Sequence, residues 1–580
     1  MTALRRWLAA VALAAPLALG AQAQDRALQR AMDLENASRY HEAVTAYREA
    51  MSHGALVAGI LGLERAFSAM GQEDSLLPAI DTLLRKTPRE PTLRGALLRT
   101  LRALGRDAAA RRAFDDWRLL DPRDAAPYRE YARLLLTDRR AASADSVLQL
   151  AVSARGGARE FATEFAELHA TMGRWDAAAA AWRDAVSDAP YLDQAAIYSL
   201  MGTPSAQRDG VRAALAAVAA MSPPVVVALA RARAGLELRW GAPRAAWREL
   251  SALPPTDSMA QVWIEFADEA EHMGGALAAR DALLAAYQVR QQPALALRAA
   301  TAALAGGDAS GALAVVTQVT AALDSTEAVA AALPLRIRAL AQLARPAEAE
   351  RLIASHGDRI TDGQRRTYAR ALAWGWIRAG DIARARRAAV EGGGEEEDVV
   401  SGWLALFDGD LDVARRGLRT AEEKSSDVVT ALAFISRTRQ TRTPGIGAAF
   451  LALARGDSAV ASRAFEQAAE SVPDAAPFLL GLAARVASAR RDDARAIGLW
   501  TRLVEQYTAA PEAPEADLEW ARTLERRGDR AAATARYEHL ILTWPDSALV
   551  PQARQALDRL RGLASTAELP ISRITGITAD

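Results

Sequence analysis

The side chains best suited to acid–base or metal chemistry near neutral pH are six histidines, His41, His53, His169, His272, His356 and His539. They are scattered, with no HExxH pair or other close ligand spacing, which argues against metal catalysis. Cysteine is absent, so thiolate metal sites, thiol nucleophiles, disulfides and an acylated lipoprotein cysteine are all excluded. No Gly-rich loop ends in Gly-Lys-Ser/Thr, Gly445-Ile446-Gly447 lacks the third glycine of a dinucleotide fingerprint, and no GxSxG elbow occurs. Adjacent carboxylates such as Asp115-Asp116 and Asp492-Asp493 diverge around a helix and read as solvated faces. Arg455-Gly456-Asp457 spells an adhesion tripeptide, but its glycine falls where a turn is expected. The sequence therefore points to no catalytic residue, no metal and no cofactor.

Composition narrows the remaining classes. The chain has 580 residues, 51% apolar and only 6% aromatic, enough for a large core built from small side chains. Lys and Arg total 71 and Asp and Glu total 71, so the basic footprint of a general nucleic-acid binder is missing. The basic residues are almost all Arg, with Lys86 and Lys424 the lysines and Asn36 the single asparagine, a bias that reads as GC-rich bacterial coding.

The first 23 residues read as an address. Arg5 and Arg6 precede an apolar run from Trp7 to Gly20, and Ala21-Gln22-Ala23 supplies an A-x-A cleavage site, the plan of a secretory signal peptide. The run is shorter than the roughly 20 residues of a spanning helix, and no later segment qualifies as one. These residues predict an exported chain with no transmembrane segment after signal removal, periplasmic, outer-membrane-associated or secreted.

The elements that must position any binding residues recur with a period near 34. One unit runs Gly105-Arg106-Asp107, Ala110, Phe114, Trp117, Asp121-Pro122, and another Gly173-Arg174-Trp175, Ala178, Trp182, Ala185, Pro190. Gly456-Asp457, Ala461, Phe465, Ala468, Pro473 and Gly528-Asp529, Ala533, Tyr537, Leu540, Pro545 share the frame. The alanine slot continues through Ala43, Ala110, Ala144, Ala178, Ala246, Ala279, Ala312, Ala349, Ala385, Ala414, Ala461, Ala496 and Ala533, with one degenerate unit near 193–225. A small residue lets two helices approach, a large one fills the gap beside it, and Gly turns the chain between them.

On these residues the sequence resembles the tetratricopeptide repeat (TPR) family over nearly all of residues 25–562. The resemblance implies an all-α fold, a TPR-like α-solenoid of antiparallel helix pairs with a concave binding groove. The division it suggests is a signal peptide at 1–23, an array at 24–390, an irregular segment with hinges at 391–444, further repeats at 445–546, a capping helix at 547–562 and a tail at 563–580. Glycines 392–394 with the acids after them, and the polar stretch Ser436 to Pro444, mark the irregular part. Trp117, Trp182 and Trp500 fall on packing slots of second helices and are expected in the core.

Groove positions implied by the resemblance fall on Arg99 and Arg102 in one repeat and on Arg129 and Arg133 in the next. An arginine fork suits a carboxylate, phosphate or sulfate, so these four either hold an anionic peptide or glycan or pair with acids of adjoining repeats such as Glu160 and Glu167. Farther along, Trp374, Trp403 and Phe450 occupy one groove position in three successive repeats. They either anchor apolar side chains or sugar faces, or plug a tightly curved superhelix. The expected function is a non-catalytic protein–protein interaction scaffold of the bacterial cell envelope, binding a protein or peptide partner in the groove. A periplasmic scaffold for exopolysaccharide export and a secreted α/α-toroid polysaccharide-degrading enzyme are the alternatives.

Overall fold

A computed structural model describes residues 25–216, 221–322, 326–357, 360–393, 398–421 and 425–561. The expected signal peptide, the tail at 563–580 and much of the acidic run after Gly393 lie outside the described residues. The fold is an all-α, TPR-like solenoid of antiparallel helix pairs. The one β element among the described residues is an isolated bridge between Asp410 and Arg442. No described helix is long and apolar enough to cross a membrane.

The chain divides into two compact units, one ending at Ala278 and one beginning at Ala279. In the first, the pairs include Pro91–Ala103 with Asp107–Leu120, Ala126–Thr137 with Ala141–Arg155, and Ala162–Thr171 with Trp175–Asp188. In the second they include Asp362–Ala379 with Ile382–Glu391, Pro444–Ala454 with Ser458–Ser471, and Ala513–Arg526 with Arg530–Thr543. Helix Val550–Arg561 closes that unit by burying Val550, Ala553, Ala556 and Leu557.

The repeat frame is a set of local steric demands. Every alanine of the slot series from Ala43 to Ala533 is fully buried, because a helix neighbour occupies the space a larger side chain would need. The residue that turns the chain adopts the left-handed conformation, as at Gly105 (φ 67°), Gly173 (φ 70°) and Gly528 (φ 84°). The slot persists where glycine is replaced, for Arg139 holds φ 58° midway between Gly105 and Gly173, at an energetic cost that glycine avoids. At three Gly-Asp breaks the labour is divided: glycine turns the chain, and the aspartate caps the next helix. Asp381 accepts from Arg384 N at 2.9 Å, Asp410 from Val413 N at 3.1 Å and Asp529 from Ala532 N at 3.0 Å. In the degenerate unit the helices shrink to Asp193–Leu200 and Arg208–Ala214, with Val211 and Leu215 buried in place of the missing alanine. Trp117, Trp182 and Trp500 lie in the core as their slots predict.

The region at 391–444, expected to be irregular, contains three helices, Val399–Phe407, Leu411–Arg419 and Ser426–Arg437. The first two form a tight pair, because Gly402 and Gly417 meet: a Cβ on Gly417 would stand 2.7 Å from the Gly402 Cα. The third is an insertion between repeats, and it accounts for the long step from Ala414 to Ala461 in the alanine series. Its N-terminus is capped by Ser425, whose hydroxyl accepts from Val428 N at 3.4 Å. After it, the polar stretch is a strap rather than an open loop. Leu411 N donates to Thr441 O at 2.9 Å, Thr443 N to Gly409 O at 2.8 Å, and Arg439 N to Asp474 Oδ2 at 2.9 Å.

Candidate functional site

The four arginines expected in the groove sit on the helices Pro91–Ala103 and Ala126–Thr137 of the first unit, and each of them meets a carboxylate. Arg99 grips Glu64 with two bonds, Nε to Oε1 at 2.6 Å and Nη2 to Oε2 at 2.8 Å, and reaches Glu130 with its remaining nitrogen. These partners stand on the neighbouring first helices, and the hydrogen bond that Arg99 donates to Glu64 raises its guanidinium above the usual range against the effect of burial. Arg102 pairs with Asp107 and Asp138. Arg133 Nη2 lies 2.9 Å from Glu164 Oε1, an ion pair without hydrogen-bond alignment, and Arg129 Nε lies 3.8 Å from the same fully buried oxygen.

Of the two acids named as partners from the sequence, Glu160 receives Arg129 through its backbone carbonyl and gives its carboxylate to Arg155 at 2.8 Å. Glu167 stands near Arg133, and burial raises its carboxyl pKa against that charge. Arg99 and Arg102 do line a hollow of about 310 Å³, but Glu64, Glu73 and Asp138 line it with them. The local field there is mixed rather than cationic.

The aromatic residues belong to the second unit. Trp374 comes from Asp362–Ala379, Trp403 from Val399–Phe407 and Phe450 from Pro444–Ala454. Their rings meet edge to face, 6.1 Å between the centres of Trp374 and Trp403 and 6.2 Å between Trp403 and Phe450. Trp403 and Phe450 are 6% and 2% exposed, so most of their area is core, whereas Trp374 is only partly buried. The neighbouring Trp376 is turned elsewhere and donates to Glu350 at 2.9 Å, with Arg384 over its ring at 4.6 Å.

All three rings of the stripe also line one cavity of about 410 Å³, within the roughly 300–1,000 Å³ typical of ligand sites. Arg338 and Arg378 share its lining with Thr430 and Asp427 from the inserted helix. The helix that breaks the repeat thus supplies one wall of the cavity. Arg378 lies with its guanidinium 5.9 Å from the centre of the Trp374 ring. Neither Arg378 nor Arg338 has a carboxylate within ion-pairing distance among the described residues. Burial alone pushes the Arg378 guanidinium below the usual arginine range, with no acid pulling it back.

The sequence pattern did not single out Arg338, Arg378 or Thr430. The register was the available signal for Arg378, which lies one helical turn after Trp374.

Outside these two places, the most chemistry-like group is His539, whose Nδ1 stands 2.6 Å from Oδ2 of the fully buried Asp517, with Arg536 at 3.4 Å from Oδ1. Burial raises the Asp517 carboxyl, opposed by His539 and Arg536. No described hydroxyl bonds the other ring nitrogen of His539, and the pair ties Arg530–Thr543 to Ala513–Arg526. Gly456, the centre of the adhesion-like tripeptide, is a turn residue at φ 81°. No group of three His, Asp or Glu side chains among the described residues stands close enough to hold a metal ion.

No family model matches this chain, and no curated protein does. Among solved structures it is similar to Naa15/Naa10 bound to HypK-THB, at 16% identity and a TM-score of 0.25, covering 89% of this chain and 69% of that one. A tetratricopeptide repeat protein from Parabacteroides merdae ATCC 43184 matches at 12% identity and TM-score 0.23, covering 55% of this chain and 99% of that one. The APC/C hetero-tetramer Cut9-Hcn1 matches at 12% identity and TM-score 0.24, covering 93% of this chain and 96% of that one. Superpositions this distant add nothing to the helix pairing described above, on which the fold stands.

Proposed function

We propose that this chain is a non-catalytic binding scaffold of the bacterial cell envelope, and that a protein or peptide partner docks in the aromatic cavity of its second unit. The observation that carries the reading is the cavity itself. A partly exposed tryptophan, backed by two buried rings, faces a space walled by a helix that the repeat frame does not require. Rings held rigid by core packing lose little conformational entropy on binding, which is why aromatic anchors dominate interface energetics.

Export is read from Arg5, Arg6, the apolar run and Ala21-Gln22-Ala23. Within this reading the row of Arg99, Arg102, Arg129 and Arg133 serves to pair one repeat with the next, since their charges are already matched. A scaffold for exopolysaccharide export remains the narrower variant, in which Trp374 would face a glycan.

Affinity capture from native envelope extract tests the function, with the full chain and its Thr430→Trp variant as baits and bound proteins and glycans identified by mass spectrometry. A protein partner held by the parent and lost from Thr430→Trp is expected. Equal capture by both baits would overturn the cavity as the docking site, and turnover of a polysaccharide pool would replace the scaffold by an enzyme.

A further inference from the structure

Several arginines of the second unit are paired with acids. Arg386 meets Asp408, Arg415 meets Asp412 at 3.0 Å, Arg437 meets Glu512 at 2.8 Å and Arg384 meets Asp381 at 3.4 Å. Arg378 combines three features: it is partly buried, lines the cavity and has no carboxylate of its own among the described residues. Taking a guanidinium partly out of water without a counter-charge costs stability unless something else supplies the anion. Arg338, exposed on Thr326–Gln342, adds a second positive charge to the same lining. Asp427 also lines the space, beyond ion-pairing distance of both arginines, so the lining carries two guanidinium groups against one carboxylate.

We propose that the cavity binds an acidic peptide segment of a protein partner, seating one apolar side chain on Trp374 and pairing a neighbouring Asp or Glu carboxylate with Arg378. This rests on the reading of the cavity as the docking site and names its ligand chemistry. The pairing of an apolar seat with a cation selects against neutral partners. The fork of Arg378 suits the planar carboxylate, and Trp374 beneath it offers the apolar contact at the same place. A sugar face would need an open ring. Trp403 and Phe450 are buried and Trp374 is only partly exposed, which leaves room for one side chain and no broad ring face for a sugar.

The test uses end-blocked hexapeptides, so that no terminal carboxylate is present. Each carries Leu or Phe followed by Asp, Glu, Asn, Gln or Lys within Gly and Ser flanks, and is titrated calorimetrically against the full chain. Peptides with an acid should bind the parent about 10-fold or more tightly than their amide counterparts. Arg378→Gln should abolish that preference while sparing the weaker apolar binding, and Arg378→Lys should keep part of it. Thr430→Trp, which fills the cavity from the wall helix and leaves the ring residues themselves unchanged, should remove binding of every peptide. Circular dichroism on each variant separates these losses from misfolding. Equal binding of acid and amide peptides, lost in Thr430→Trp, would overturn the acidic ligand and leave the docking site standing. Absence of any binding to the parent, or binding unmoved by Thr430→Trp, would overturn both.

Discussion

Arg378 rests with its guanidinium 5.9 Å from the centre of the Trp374 ring, and no described carboxylate neutralises it. Arg99 is the contrasting case, held by Glu64 and Glu130 from the helices on either side. A desolvated charge without a partner weakens a fold, whereas a partnered one leaves two stranded charges when it is removed. The two arginines therefore differ in what they do, although both sit on first helices of their pairs.

Replacing Arg99 by Gln should lower stability by about 1–3 kcal/mol, because Glu64 and Glu130 lose their shared partner while staying largely shielded. Arg378→Gln should leave stability within about 0.5 kcal/mol of the parent or raise it. Thermal melts followed by circular dichroism compare the two. A larger loss in Arg378→Gln than in Arg99→Gln would contradict the assignment of roles.

Gly402→Ala should cost about 2 kcal/mol or more, since the new methyl would lie 2.8 Å from Leu418 N and 2.9 Å from the Gly417 carbonyl carbon, where backbone cannot yield cheaply. The same change shifts Val399–Phe407, which carries Trp403, so peptide binding in the cavity should weaken with stability. Unchanged melting would show that the two helices do not approach as closely as described.

The first unit carries a pH dependence of known sign at Glu35. A hydrogen bond from Arg65, at 2.7 Å, holds its carboxyl below the ordinary range; burial opposes this and the Tyr47 hydroxyl assists. A depressed carboxyl contributes stability above its unfolded pKa of about 4.3 and loses it as pH falls through the folded value. Glu35→Gln should therefore melt lower than the parent at pH 7 and lose less on going to acid. Parallel acid limbs for the two proteins would remove Glu35 from the balance.

Tyr47 supplies the alkaline counterpart. Burial, then its bond to Glu35, pushes its hydroxyl up to about 12. Its contribution is complete below the unfolded tyrosine pKa of about 10 and is lost as pH climbs towards the folded value. Tyr47→Phe should flatten the loss of stability above pH 10, measured by thermal melts across that range. The equivalent pair at the other end, Tyr537 donating to Glu525 at 2.9 Å, occupies the same place in its repeat.

The parts of the fold legible in the sequence are those set by single residues. A fully buried alanine and a left-handed turn each demand a residue type, so Ala110, Gly105 and their counterparts announce the period directly. Partner choice among charges is not local. Arg99 could be placed in the groove from its spacing, but Glu64 and Glu130 lie 35 and 31 residues away, and their meeting depends on how neighbouring helices pack. The inserted helix Ser426–Arg437 had a local signal in Val428, Ala431, Phe434 and Ile435, all buried, yet the polar residues after it read as a loop. The distinction of Arg378 is less legible still, because it consists in what surrounding residues leave undone.

Site-specific photocrosslinking addresses the docking site most directly, with a photoreactive phenylalanine analogue in place of Thr430 in the cavity and, separately, of Ser68 in the arginine hollow. The cells that make the protein are illuminated and adducts are resolved by mass. A protein adduct at position 430, with none at 68, is the predicted result. Adducts at 68 alone, or none at 430, would contradict the placement of the partner in the aromatic cavity.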